Sequence, residues 1–475
     1  MTMGYLTTHG RGFGLVKATR LIAGFGLCAA VLACASTADT VPPVAAPEQP
    51  PNAQSLQSFD QVWNQVREQY FDFPRIAAEW DQAREVLRPQ AANARNAAEL
   101  RPVLIALLEG IGESHFGVLP GDSQSQIESV SASQAGAAQQ STNPPRSTST
   151  GLSARMIDQA LIITEVEDPS IGPIRAGWRL DALGDLAIQP LIDQIQTVDD
   201  ETARKRAVLL LEASINTRLA YPLQGEVLSL RLRDTVGVSH DIDLQGRAGS
   251  MRTVKIGTLP PMPFEFASRR IETTDGCIGL MGFSTWVPEL MDRFMDTRDD
   301  LFACQGLVID LRGNLGGVLS TMMPLTSHLV DTPILLGSLL RADGRIDFRV
   351  FPRRVADDGR RLTPFSGPVV VLIDGLSAST SEMFASGMQA IGRARIIGQR
   401  SPGMALPAQM LPLANGDVLM YAFADYHDGQ GRRVEGVGVV PDQLIEPSVD
   451  ALTNAEDAEL DAAVSWLLQE TVSRQ

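Results

Sequence analysis

The chain is 475 residues long, 44% hydrophobic and 20% charged, with a formal net charge of −16. That length exceeds one ordinary core and predicts about two to four domains, while the apolar fraction is usual for a folded soluble body. The acidic surplus disfavours nucleic acid and anionic lipid as partners of that body.

At the N-terminus, Arg11, Lys17 and Arg20 precede the apolar run "LIAGFGLCAAVLAC", which is short for a membrane span and has signal-peptide layout. It ends in Val31-Leu32-Ala33-Cys34, which looks like a bacterial lipobox with Cys34 acylated after cleavage. A plain secretory signal cut near Ala35 to Ala38 is the alternative. Residues 1–33 are thus expected to leave, and lipidated Cys34 to be the sole membrane contact. Ala35 after that cysteine, in place of Asp, implies outer-membrane sorting in a diderm envelope. Residues 34–54, with "ASTADTVPPVAAPEQPPN", read as an extended tether.

Residues 55–119 carry apolar side chains at three- and four-residue spacing, as in a small helical bundle ending at Glu113-Ser114-His115-Phe116. Residues 120–150 are rich in Ser, Gln and Ala and predict a disordered linker. Between 151 and 250, short strands frame one charged helix, "ETARKRAVLLLEASI", and the pattern resembles a PDZ domain, although Trp178 stands where an acidic residue is usual. From 251 to 450, strands "CIGLMGF", "GLVIDLRGN", "GPVVVLIDG" and "RARIIGQ" alternate with helical patterns, predicting an α/β fold with a covered parallel sheet. Residues 451–475 predict a closing amphipathic helix. Cys277 and Cys304 open two of the strands; a disulfide between them and two buried thiols are both open readings.

Chemistry in such a sheet gathers where strands end and helices begin. The turn Asp310-Leu311-Arg312-Gly313-Asn314-Leu315-Gly316-Gly317 offers outward amides suited to an oxyanion; no Lys-Ser/Thr follows, which excludes a P-loop. Asp310 and Arg312 are expected to fix that turn. The second turn, "DGLSASTSE", crowds Ser377, Ser379, Thr380 and Ser381, and Ser379 to Glu382 also has the form of a helix capping box. No HExxH or Cys/His cluster is present, so neither metal nor cofactor is expected.

"DLRGNLGG", then "SASTSE", then "GVGVVPD" in this order resemble the S41 serine peptidases, the tail-specific or C-terminal-processing family. The resemblance implies a crotonase-like core, a PDZ-like insert and Ser379 as nucleophile. Better-known members use a Ser-Lys dyad, but an ungapped alignment puts Met404 at the lysine, and Arg400 stays protonated. A base must come from elsewhere. Of five histidines, His9 leaves with the signal, His240 lies in the PDZ-like segment, His328 sits past the Gly-rich turn, and His427 reads as solvated in "DYHDGQGR". His115 is left. A tricorn-like branch of the family uses a Ser-His-Glu triad, which maps onto Ser379 as nucleophile, His115 as base and Glu435 as the group orienting the imidazole. Backbone N–H groups of Thr380 and of Gly316 or Gly317 would hold the oxyanion.

The reading is a lipid-anchored periplasmic serine endopeptidase acting on unfolded polypeptides or protein C-termini. A catalytically silent peptide-binding adaptor is the alternative, motivated by the lost lysine. An acyl-CoA enzyme of the crotonase type is disfavoured, because the export signal places the chain where acyl-CoA is scarce.

Overall fold

The computed structural model describes residues 51–121, 148–222, 226–248, 252–254, 262–274 and 276–473. The expected signal peptide, Cys34, most of the expected tether and most of the expected linker lie outside them. Three helices come first, α1 (Pro51–Gln69), α2 (Phe73–Asn93) and α3 (Ala97–Glu109), then strand β1 (Gly117–Leu119). A β domain follows with β2 (Leu152–Ile157), β3 (Ala160–Val166), β4 (Arg179–Leu183), α4 (Gln189–Gln196), α5 (Glu201–Ala220), β5 (Val227–Arg233) and β6 (Ser239–Gln245). The α/β core opens with β7 (Phe266–Thr273), β8 (Gly276–Phe283), α6 (Glu289–Phe302), β9 (Gly306–Asp310) and α7 (Met322–Ser327). It continues through β10 (Ile334–Arg341), β11 (Gly344–Val350), β12 (Val369–Ile373), α8 (Thr380–Ala390) and β13 (Arg395–Gly398). The last elements are β14 (Ala408–Pro412), β15 (Val418–Ala422), β16 (Asp425–Asp428), β17 (Gln443–Leu444) and α9 (Ala458–Ser473).

The main sheet has the order β7-β8-β9-β12-β13-β17, parallel from β8 onward with β7 as an antiparallel edge. Every residue of β12, "VVVLI", is buried, as a strand covered on both faces requires. Alternation divides the side chains. Leu307, Ile309, Val369, Val371 and Ile373 join the large core with Phe294 of α6 and Phe384 of α8, whereas Val308, Val370 and Leu372 meet Ala463 and Leu467 of α9. Each fully buried branched side chain contributes about 2 kcal/mol of transfer free energy. Cys277 and Cys304 are joined in a disulfide across the start of β8 and the turn before β9.

The N-terminal helices do not close a core of their own. Phe59, Val62, Val66, Trp80, Leu100 and Leu104 pack with Leu406, Leu413, Leu419 and Tyr421 around the β14–β15 hairpin. Three boundaries differ from the sequence reading. Thr148–Ser149, inside the segment expected to be a disordered linker, pair antiparallel with Arg247–Ala248, so the last residues of that segment are edge strand. Helix α1 begins at Pro51, inside the expected tether, and residues 117–119, expected to be helical, pair antiparallel with β15. That pairing hangs the end of the helical segment on the core.

The β domain is an antiparallel sheet, β2-β3-β4-β5-β6, with the two-residue strand Leu186–Ala187 paired to β4. Helix α5 lies along the β2 edge. Ala154 gives its N–H to Asn216 Oδ1 at 2.8 Å and takes Asn216 Nδ2 on its carbonyl at 2.7 Å. Leu209, Leu210 and Ala213 of the same helix pack on Leu376, Ala378 and Met404 of the core.

Candidate active site

Strands β9 and β12 are neighbours, with Asp310 opposite Leu372, so the two turns singled out in the sequence leave the same end of the sheet side by side. Asp374 ties them: its Oδ1 accepts the N–H of Gly313 and of Leu376, both at 3.0 Å. Ser377 and Ser381 are fully buried and spent on the same junction. Ser377 Oγ lies 2.7 Å from Leu311 O; Ser381 Oγ accepts the Trp286 indole N–H at 2.9 Å and donates to Asn314 O at 3.0 Å. Thr380 Oγ1 donates to Gly317 O at 3.0 Å.

Ser379, half-buried at the head of α8, has φ +55° and ψ −118°. A positive φ at a non-glycine residue costs on the order of 1–3 kcal/mol and persists only where neighbours impose it. Here the Ser379 N–H donates to Met404 O at 2.9 Å and to Glu382 Oε2 at 3.2 Å. Glu382 does more than cap the helix. Fully buried, it also accepts Ser401 Oγ–H at 2.6 Å, Gly403 N–H at 2.7 Å and Met404 N–H at 2.8 Å, and burial pushes its carboxyl up to about 7. Met404 is buried against Leu209 and Ala378.

Gly316 and Gly317 are glycines for steric reasons. A Cβ on Gly316 would stand 2.7 Å from Ser379 Cβ, and one on Gly317 2.4 Å from Trp286 O. The Gly316 N–H is engaged by Asn314 Oδ1 at 2.9 Å. The N–H groups of Gly317 and Thr380 carry no partner among the described residues.

His115 sits at φ +58° and lines the same cavity, of about 1480 Å³, as Ser379, Gly316 and Gly317; it is the histidine among the lining residues. No hydrogen bond joins His115 to Ser379 among the described residues. Nor does Glu435 touch the imidazole. Ser114 stands between: its Oγ is 2.7 Å from His115 Nδ1 and donates to Glu435 Oε2 at 2.9 Å, while its N–H donates to Glu435 Oε1 at 2.8 Å. Ala405 N–H adds a bond to Glu435 Oε2 at 2.7 Å. An ionised Glu435 only accepts, so the single Ser114 proton faces it, and Nδ1 must keep its own proton and donate to Ser114 Oγ. Nε2 is then left with a lone pair. Burial pushes Glu435 up to about 7, and burial together with the Arg206 cation pushes His115 down to about 4.

The other described histidines are absorbed elsewhere. His240 stacks on Trp178 and pairs with Asp234 at 2.9 Å. Buried His328 accepts from Arg298 Nε at 3.2 Å. His427 corrects the solvated-loop reading: it is half-buried on β16, 3.2 Å from Asp425 and 3.1 Å from Gly431 O. Asp310 and Arg312 pair at 2.7 Å, and Arg312 also reaches Asp457 at 2.8 Å and Glu459 at 2.6 Å. Among the described residues, no cluster of His, Cys, Asp or Glu could hold a metal, and no helix is long and apolar enough to cross a membrane. Sequence reasoning missed Ser114 and the wider role of Glu382. Adjacency to His115 was the one available signal for the first, and nothing in spacing marked the second.

Residues 276–445, which hold both turns and Glu435, match the model of peptidase family S41. Over that segment the chain is similar to the S41 peptidases. Residues 51–108 match the tricorn protease C1 domain. A carboxy-terminal-processing protease of Bartonella bacilliformis is 33% identical over 144 residues, 30% of this chain and 31% of that relative, so the similarity spans about a third of either chain. Among solved structures, mature CPAF complexed with lactacystin superposes with TM-score 0.57 at 14% identity, covering 89% of this chain and 99% of that one. The photosystem II D1 C-terminal processing protease gives 0.51 at 16% identity, covering 84% and 96%. At such identities the superpositions speak for a shared α/β fold. The S41 match ends short of His115, whose place at the cavity comes from the tertiary structure.

Proposed function

We propose that this S41 chain is a serine endopeptidase cleaving unfolded segments or C-terminal tails of proteins through an acyl-enzyme. One observation carries the reading: His115, linked through Ser114 to Glu435, shares a cavity with Ser379 beside two backbone N–H groups that carry no partner among the described residues. His115 Nε2 takes the Ser379 proton as Oγ attacks the peptide carbonyl carbon. The oxyanion accepts from Thr380 N–H and Gly317 N–H, each donor lowering the barrier by on the order of 3 kcal/mol. His115 passes its proton to the leaving amine, and water, deprotonated by the same nitrogen, releases the acyl group. Glu435 holds Ser114, and Ser114 holds the imidazole. Gly316, its N–H occupied by Asn314, serves the turn rather than the oxyanion.

The names of the curated relatives favour C-terminal tails as substrates. We read the core as crotonase-like and the β domain as PDZ-like, from strand order and the helix along the β2 edge. The lipobox at Cys34 supports anchorage in the bacterial envelope, facing the periplasm. Met404 motivates the silent-adaptor alternative; the Glu435–Ser114–His115 chain, facing the Ser379 cavity without any lysine, speaks against it.

The test is cleavage of casein by the purified chain and its Ser379→Ala, His115→Ala and Glu435→Gln variants, with folding followed by circular dichroism. Both alanine variants should lose at least about a thousandfold in kcat while remaining folded. Full activity in Ser379→Ala would end the peptidase reading. An active His115→Ala variant would mean a different base.

A further inference from the structure

The turn that carries His115 is gripped from the β domain. Arg206, on the second turn of α5, donates from Nη2 to Phe116 O at 2.8 Å and from Nη1 to Glu113 O at 3.4 Å, so its guanidinium spans the residues flanking Ser114 and His115. We propose that Arg206 is a positioning residue for the His115 base, which makes the β domain a structural part of the active site. The proposal rests on the Ser379–His115 reading above.

Three observations support it beyond the two bonds. His115 holds a positive φ, which needs an external constraint, and a planar five-donor guanidinium can satisfy two carbonyls in fixed geometry. The helix bearing Arg206 is itself anchored on both sides. Asn216 takes both backbone groups of Ala154, Thr150 N–H donates to Ala220 O at 3.1 Å, and Leu209 and Ala213 pack on the nucleophile turn. The turn is also fixed from the core and from α2, since Glu113 meets Arg433 Nη2 at 2.9 Å and Arg75 Nη2 at 3.2 Å. One rigid helix thus touches the nucleophile turn with its apolar residues and the base turn with Arg206.

The charges facing His115 define an electrostatic signature. Arg206 from α5 disfavours the imidazolium. Glu435 lies beneath Ser114 and interacts with Arg206, Glu113 on the turn is paired with Arg433 and Arg75, and Glu109 of α3 lies near Arg206 itself. Removing the Arg206 charge favours protonation of both His115 and Glu435, so the acidic limb of activity moves to higher pH whichever group it reports. Removing only the fork leaves the limb in place.

The experiment compares Arg206→Lys, which keeps charge without the fork, with Arg206→Gln, which keeps a donor without charge. The readouts are the pH profile of casein cleavage, kcat and KM separately, and the His115 titration followed by NMR on the labelled full chain. Both variants should lose about 10- to 100-fold in kcat with KM changed by less than about threefold. Only Arg206→Gln should raise the acidic limb and the His115 titration, by on the order of one pH unit. Unchanged kcat, or a lower melting temperature with the limb and the His115 titration unmoved in Arg206→Gln, would reduce Arg206 to a domain tie and overturn the proposal. The NMR titration reports on Arg206 without turnover, whereas Ser379→Ala reports on the peptidase reading, so each can fail alone.

Discussion

At Ser379 and His115 the backbone takes positive φ at two residues that are not glycine. Each is held by bonds to distant segments, Ser379 by Met404 and Glu382, His115 between residues tied to Arg206, Arg433 and Glu435. Strain of this kind aims side chains that relaxed geometry would turn away. The protonation states follow from burial. His115, pushed down to about 4, is neutral throughout the working range, while Glu435, pushed up to about 7, is not yet ionised in mild acid. Only ionised Glu435 compels the tautomer with a free Nε2. Activity should therefore climb as pH rises through about 7, measured as kcat/KM from about pH 5 to about pH 8. Glu435→Gln should flatten that climb at a lower rate. A flat profile in the parent protein would show that Glu435 is already ionised or does not act through Ser114.

Among the elements, α5 has the most varied duties. Its Asn216 seals the β2 edge where another strand could add, its apolar residues pack behind Ser379, and its Glu212 is buried with N–H of Met156 as a donor. Burial, with Asp374 nearby, pushes Glu212 up to about 8. A carboxyl whose folded value exceeds its unfolded one holds its proton better when folded. Stability contributed this way is present below about 4.5 and fades as pH rises towards about 8. Glu212→Gln keeps the shape and an acceptor for Met156 but cannot ionise. Its melting temperature should exceed that of the parent at about pH 9 and by much less at about pH 5. An equal difference at both pH values would mean that the parent Glu212 is not protonated at low pH.

Over the whole molecule, the proposed site draws on three blocks meeting at one end of the main sheet. The N-terminal helices bring His115, the β domain brings Arg206, and the core brings both turns and Glu435. The other end is closed by the Cys277–Cys304 disulfide, six residues and about 20 Å of strand from Phe283 at the cavity. Closing a loop of 27 residues restricts the unfolded chain by about 3.5 kcal/mol. Cys277→Ser with Cys304→Ser should lower the melting temperature in calorimetry and leave casein cleavage at 25 °C within about twofold. A large loss of activity without loss of stability would show that the two ends of β8 are mechanically coupled.

The sequence by itself determined the features that local pattern controls. Near-continuous apolar strands such as Val369–Ile373 require a sheet covered on both faces, and glycines at 316 and 317 with Ser379 ahead of Glu382 mark the two turns because close backbone approach admits only certain residues there. It also directed attention to His115 by elimination, and to Glu435 by motif. Tertiary structure alone decided how these groups connect. Ser114 and Glu435 are separated by 321 positions, and Arg206 and Phe116 by 90. No periodicity spans such distances. The pairing of residues 117–119 with β15 illustrates the same limit, since a helical spacing there yields to a partner strand that only the folded chain supplies. Contacts of this range arise from which apolar faces close on one another, and they set whether a serine, a histidine and a carboxylate form one proton path.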